Sequence, residues 1–564
     1  MRYIFIILLL MPSLLFAADK IDPSQDLVYQ GSFIIPATDG VGNSMLNAAR
    51  AMTYDPAGNS GAGSLYITSN ATASLVCEIA IPALVQSQNW ASLNSATFIQ
   101  TCADASSGKV VNSTSQGTTD KITGMAIMPA QGSQETSKLY MSVNEYFSPE
   151  LDKTSIGWAE LDLSTPTTAG WWDVGGMYAG QTSQYLCEID ATWATANLGG
   201  KTLGIGRDRA VQGGGTSRGP TLYATAPWVD GNPPADAASL TATTILEYSD
   251  AHPINRYTDD EMPNGAVWLK VGTKEALAVA ATEHYRNSGV TMEGLNYYGD
   301  PINYGCGGKG FHGEPYYLSL RLYDVDDLAT AISSGNPYDP QPYAWANFLH
   351  NEIRPGECRK KNMGMTYDYS DQLLFISEQE AGGNSDDRTV IHVFSVSDVS
   401  SSLDTTAPTV PADVSFNEGT TTLSWTASTD AVSSVSYVIY RRLPVKVSEY
   451  GTGIYHQTSL TVYPWVQTLI TAGTIYAGDV YYQYTADDTI LYQDYPVGLS
   501  TTNSWADTEY VSFSYHEFKV SAMDENGNES DKSGGSPAVV NSALSFGAGG
   551  SSIAIGGSSS FVIQ

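Results

Sequence analysis

Between residues 50 and 397, short apolar runs alternate with polar turns in a pattern that returns five times. Each copy opens on a small or apolar strand, at 51–55, 124–127, 204–207, 294–297 and 364–368. A second strand follows at 65–68, 139–142, 222–225, 316–319 and 374–377. A third follows at 77–81, 158–163, 245–248, 320–325 and 390–394. Period-two alternation bounded by Gly, Asn and Asp marks strands, and its return at a near-constant interval means stacked sheet units. A shorter pair at 267–271 and 276–279 reads as part of one more unit. The pattern predicts an all-β fold, with a β-propeller of five or six blades over 28–400, an architecture without long exposed sheet edges.

Near residue 400 the pattern changes. Residues 401–411 form a linker punctuated by Pro408 and Pro411, which favour an extended chain. Beyond it come Leu423-Ser424-Trp425, a strand through Tyr437-Val438-Ile439-Tyr440, and Tyr515 ahead of 516–522. The turn residues Asp524, Gly527, Asn528 and Ser530 close the series. This order resembles a fibronectin type III domain, a β-sandwich in which the tryptophan packs between two sheets. The segment 412–542 is read as that sandwich, with an excess of chain near 445–512 that is rich in tyrosine. The last residues, 543–564, are a Gly/Ser-rich tail.

Residues 1–18 read as a secretory signal: Arg2, an apolar run too short to span a bilayer, and Ala17-Ala18 for cleavage. No later stretch is long and apolar enough for a transmembrane helix. The expected location is therefore secreted or cell-surface, in an extracellular or periplasmic compartment. Against 59 acidic residues stand 27 basic ones, a net charge of -32. Such a surface repels phosphate backbones, which excludes nucleic acid as an expected partner.

Five cysteines, Cys77, Cys102, Cys187, Cys306 and Cys358, form no CxxC pair. In an oxidising compartment disulfides are their natural use. Strand adjacency predicts Cys77–Cys102, and the Gly-rich flanking turns predict Cys306–Cys358, leaving Cys187 over. The loop 305–316, with five glycines around Cys306, Lys309 and His312, reads as a tight structural turn.

No G-x-S-x-G, H-E-x-x-H or phosphate-loop motif occurs, so the common hydrolase and metalloprotease signatures are absent. No catalytic residue is assigned. In a propeller the loops after second strands and before first strands emerge on one face. That rule gathers Arg50, Asn70, Glu145, Glu283, His284, Glu293, Glu378 and Glu380 as candidate binding residues. Carboxylates beside an arginine and a histidine suit a polyhydroxyl ligand, or the acid and base of a glycosidase. No cofactor and no metal ligand set is expected. A structural cation such as calcium stays open, although the acidic run 524–531 lacks helix-loop-helix spacing.

Across 28–397 the chain resembles a group of uncharacterised secreted bacterial propeller-like proteins that carry appended sandwich modules. The resemblance rests on the stretches 31–36, 77–82, 310–316 and 322–328, among them Gly310-Phe311-His312-Gly313-Glu314-Pro315-Tyr316. It implies fold and export, and brings no activity with it. Two functions are therefore expected. The first is an exported, non-catalytic binding or surface protein that recognises extracellular polysaccharide or protein. The alternative is a carbohydrate-active hydrolase or lyase, on which glycosidic chemistry would need two carboxyl groups meeting in one pocket.

Overall fold

The structure, a computed structural model, describes residues 19–70, 75–110, 112–113, 118–119, 121–144, 155–175, 182, 184–209, 218–229, 234–249, 251–255, 265–284, 316–353, 364–382, 387–399, 403–446, 490–507 and 517–536. The signal-like segment, Cys306, Cys358, the loop with His312, the tyrosine-rich centre of the insertion and the tail lie outside these residues.

The chain is all-β, and residues 27–396 build five sheets of four or five strands, apart from a two-stranded pairing of 112–113 with 118–119. The first sheet orders Met52–Asp55, Ser64–Thr68, Val76–Ala80 and Thr97–Ala103. The second runs Lys121–Met128, Lys138–Asn144, Ile156–Ala159 and Thr168–Val174, with Ser239–Leu240 added parallel at its edge. The third runs Tyr185–Glu188, Leu203–Arg209, Arg218–Thr225 and Thr243–Leu246. The fourth runs Ala266–Val271, Lys274–His284, Tyr316–Asp324 and Ala344–Asn347. The fifth takes Met365–Asp368, Leu373–Glu378 and Val390–Val396, and then the distant N-terminal strand Leu27–Ile34. Leu27 pairs with Val396 and Ile34 with Val390, so the two ends of this region share a sheet.

Each sheet's first strand packs beside the next sheet's first strand, and the fifth returns to the first. Apolar clusters fill the spaces between neighbours. Phe33, Phe375 and Ile391 of the fifth sheet meet Leu65, Ile67 and Ile79 of the first. Tyr66 of the first meets Met125, Leu139 and Met141 of the second. Similar clusters join the second to the third, the third to the fourth, and the fourth to the fifth. Both faces of an inner strand are thus buried: Leu65 and Ile67 face one neighbour, and Tyr66 between them faces the other. Burial of this kind at roughly 25 cal/mol per Å² is what offsets the chain entropy of ordering the sheets.

Two of the five sequence units are corrected by this topology. The strand at 204–207 is the second of its sheet, because Tyr185–Glu188 precedes it on the inner side. The runs at 316–319 and 320–325 belong to one nine-residue strand, Tyr316–Asp324. The pair at 267–271 and 276–279 supplies the first two strands of that same fourth sheet. The opening expected at 294–297 lies outside the described residues.

After the fifth sheet the chain builds two facing sheets. One orders Ala412–Asn417, Thr422–Thr426 and Ser504–Ala506; the other orders Ile490–Ser500, Ser436–Lys446 and Phe518–Met523. Between them lie Val414, Leu423, Trp425, Tyr437, Ile439, Phe518 and Val520. Trp425 meets Tyr437 edge-on at 5.1 Å between ring centroids.

This unit is docked rather than tethered. Val438, Tyr440, Leu499 and Met523 pack with Tyr317 and Leu349 of the fourth sheet's region. The Asn347 amide donates to Glu525 O at 3.2 Å, and its Nδ2 donates to Asp524 O. The linker is fixed as well: Asp404 N donates to Asp22 Oδ2 at 3.1 Å, and Asp404 O accepts from Asn526 and Asn528 Nδ2.

Among the described residues, Cys77 and Cys102 form a disulfide and Cys187 is free and buried. No helix among them is long and apolar enough to cross a membrane.

Candidate functional site

The second strands of the five sheets end at Thr68, Asn144, Arg209, His284 and Glu378. Glu283 and His284 close the fourth sheet's second strand, opposite Tyr317 and Tyr316, so they occupy the place that Glu378 holds in the fifth. Glu145 and Glu293 lie outside the described residues.

Arg50, Asn70 and Glu380 all border the loop 44–50, at the seam where the fifth sheet meets the first. The loop ahead of the first sheet is stitched to the fifth by side chains. Gln379 Nε2 donates to Asn47 O at 2.9 Å and to Ala48 O at 3.0 Å. Ser377 Oγ donates to Ala49 O, and Thr389 Oγ1 donates to Ala48 O, each at 2.9 Å. Gly364 is required here, because a Cβ on it would stand 2.3 Å from Ala49 O. Asn70 joins the same loop, its backbone N donating to Ser44 O at 3.1 Å.

Three non-glycine residues in this seam have left-handed backbone: Asn47 at φ 58°, Ala49 at φ 55° and Glu380 at φ 58°. Each is a conformation that side chains with a Cβ adopt at a cost of about 1 kcal/mol or more. Beside them stands Arg50, whose enclosed guanidinium is held below its ordinary range, at about 10, by burial. Lys121, at the start of the second sheet, is lowered by its own burial and by the Arg50 charge.

Glu378 does not point to this seam. Its side chain is fully buried, accepting from Ile353 N at 2.8 Å and lying 2.9 Å from His392 Nε2. The expectation that it joins the other candidate residues on one face of the ring is therefore corrected. Alternation explains the turn: Ser377 faces the first sheet, so Glu378 must face the opposite side of its own sheet. The other ring nitrogen of His392 lies 3.5 Å from the Tyr29 hydroxyl. Burial, with a smaller contribution from the Glu378 charge, pushes that hydroxyl up. His392 was overlooked in sequence, although a histidine inside the apolar strand 390–394 signals a buried polar partner.

No protein family matches the chain, and no curated protein sequence does. Among solved structures, phage phi92 endosialidase is similar at 11% identity and a TM-score of 0.27, over 77% of this chain and 61% of that one. The chain thus spans less than two thirds of that protein's length. The β-fructofuranosidase from Schwanniomyces occidentalis complexed with fructosyl-erythritol is similar at 8% identity and a TM-score of 0.29, over 92% of each chain. At such scores the likeness carries no argument about activity.

Proposed function

We propose that the protein is an exported binding protein whose recognition surface is the end of the sheet ring that carries Arg50, Asn70 and Glu380. On this reading the five sheets are five blades of a propeller, closed by the pairing of 27–34 with 390–396. The C-terminal pair of sheets is a fibronectin type III-like module that supports it. The ligand is an extracellular polysaccharide or protein surface.

The observation that carries this reading is the cluster of left-handed residues Asn47, Ala49 and Glu380 beside the enclosed Arg50. Backbone strain held in place by four side-chain hydrogen bonds to one loop is a feature that concentrates at ligand-binding positions. The guanidinium of Arg50 supplies donors that suit a polyhydroxyl or acidic partner. The hydrolase alternative is weakened by Glu378, one of its candidate carboxylates, which is engaged with His392 and Ile353.

A glycan and protein array probed with the chain 19–564, run beside a reducing-sugar release assay, tests the reading. Binding without sugar release is expected. Asn70→Ala combined with Glu380→Asn, which keeps a residue tolerant of left-handed backbone, is expected to weaken binding at least about tenfold with the melting temperature nearly unchanged. Sugar release by the wild type, or equal binding by the variant, overturns it.

A further inference from the structure

Away from the ring, three aspartates that are remote in sequence converge. Asp404 comes from the linker, Asp430 from the loop after Thr422–Thr426, and Asp524 from the turn after Phe518–Met523. One carboxylate oxygen from each lies within 4.8 Å of the other two. Among the described residues, no lysine, arginine or histidine forms an ion pair with any of them.

Local hydrogen bonds hold the three in place without using them up. Asp404 Oδ1 accepts from Thr406 N at 2.9 Å. Asp430 Oδ1 accepts from Val432 N at 2.8 Å and Ser433 N at 2.9 Å. Asp524 accepts from the backbone and side-chain nitrogens of Asn528, both at 2.8 Å. Asp404 as a whole residue is half-buried, but its carboxylate is enclosed, and its Oδ2 has no hydrogen-bond partner. A buried charged oxygen left without a donor is costly, and nearby like charges add to that cost. A water can donate to that oxygen but leaves the three negative charges uncompensated. A bound cation solves both.

We infer that Asp404, Asp430 and Asp524 form a calcium site at the junction of the sheet ring, the linker and the C-terminal unit. All-oxygen, all-carboxylate donors select a hard cation. Two oxygens on opposite sides of a calcium ion, at 2.3–2.6 Å each, stand about 4.6–5.2 Å apart, which the observed span accommodates. Magnesium needs a tighter, strictly octahedral shell and keeps most of its waters, so it suits three protein carboxylates less well. The site sits where it ties elements together. Asp404 N reaches Asp22 Oδ2, and Asn526 Nδ2 reaches Asp22 Oδ1 at 3.0 Å, so the cation locks the N-terminal segment, linker and C-terminal turn at one point. The inference does not depend on the ligand proposed for the ring.

Terbium luminescence tests it on the chain 19–564, with Trp345 in the same seam as a sensitiser, its backbone N donating to Asn526 O at 3.3 Å. The wild type is expected to give sensitised emission that calcium displaces and equimolar magnesium does not. Asp404→Asn with Asp430→Asn retains oxygen acceptors for the local turns and is expected to weaken terbium and calcium binding by roughly tenfold or more. Thermal unfolding supplies a second readout with opposite signs. In chelator the double variant should melt above the wild type, because like-charge repulsion is relieved. In millimolar calcium it should melt below. No terbium emission, emission retained by the variant, or a variant that melts higher in both conditions overturns the inference.

Discussion

His392 Nε2 lies 2.9 Å from Glu378 Oε2, and neither side chain is open to solvent. The two stand diagonally on adjacent strands of the fifth sheet, His392 opposite Ile376 and Glu378 opposite Val390. Losing the carboxylate leaves a buried imidazole and the Ile353 amide without their acceptor. Glu378→Ala is expected to lower unfolding free energy by about 3–5 kcal/mol, whereas Tyr29→Phe should cost under about 1.5 kcal/mol. Chemical denaturation of both variants checks this. Equal small effects would mean that the pair contributes little.

Glu188, at the end of the third sheet's first strand, titrates at about 7, raised first by burial and then by the Asp190 charge. The protonated form is therefore favoured by folding. The penalty for ionising it is fully present above about pH 7, shrinks as pH falls through 7, and is gone below the ordinary carboxylate value of 4.5. Glu188→Gln should be more stable than wild type at pH 8, by on the order of 3 kcal/mol, and equal to it near pH 4.5. Melting temperatures across that range decide the matter, and a constant offset would contradict the assignment.

Cys187 is buried, and burial pushes its thiol up to about 12. Iodoacetamide should leave it unlabelled in the native protein and label it after denaturation. The Cys77–Cys102 bridge, separated by 25 residues, should contribute roughly 3.5 kcal/mol. Cys102→Ser with a lowered midpoint of unfolding is the expected outcome; an unchanged midpoint would show that the bridge is dispensable.

The proline-punctuated linker 401–411 predicts, as sequence, a protease cut near Asp404 to Pro411 that separates two folded pieces. Its contacts with Asp22, Asn526 and Asn528 argue otherwise. Limited digestion with proteinase K is expected to spare it in the wild type. Asn526→Ala with Leu349→Ser, which removes one polar and one apolar contact of the docked surface, should open it to cleavage. Prompt cutting of the wild type would overturn this.

The first, second and fifth sheets were legible because their inner strands run into turns, with Asp55 and Asp368 closing two of them. The third and fourth were misregistered for a physical reason. Tyr185–Glu188 is too short, and too uniformly buried at Tyr185, Leu186 and Cys187, to show alternation. Tyr316–Asp324 is nine residues long, more than twice Met52–Asp55 or Met365–Asp368, so it read as two strands. Of the proposed seam, Arg50, Asn70 and Glu380 followed from the loop rule, whereas the turn of Glu378 depends on which face Ser377 takes. The aspartate cluster was invisible because its members lie 26 and 94 positions apart in sequence, and only the docking of the C-terminal unit brings them together.

The pairing of Leu27–Ile34 with Val390–Val396 also sets an order of events in time. The strand that completes the fifth sheet is made among the first, and its partner about 360 residues later. At 5–20 residues per second, that is a wait of roughly twenty to seventy seconds. Through that interval Phe33 has no partner from the fifth sheet, and Phe375 and Ile391 have not been made. Completion of the ring is consequently a late, long-range step, and a chain cut short anywhere before residue 390 leaves one side of its opening strand unpaired, available to other chains.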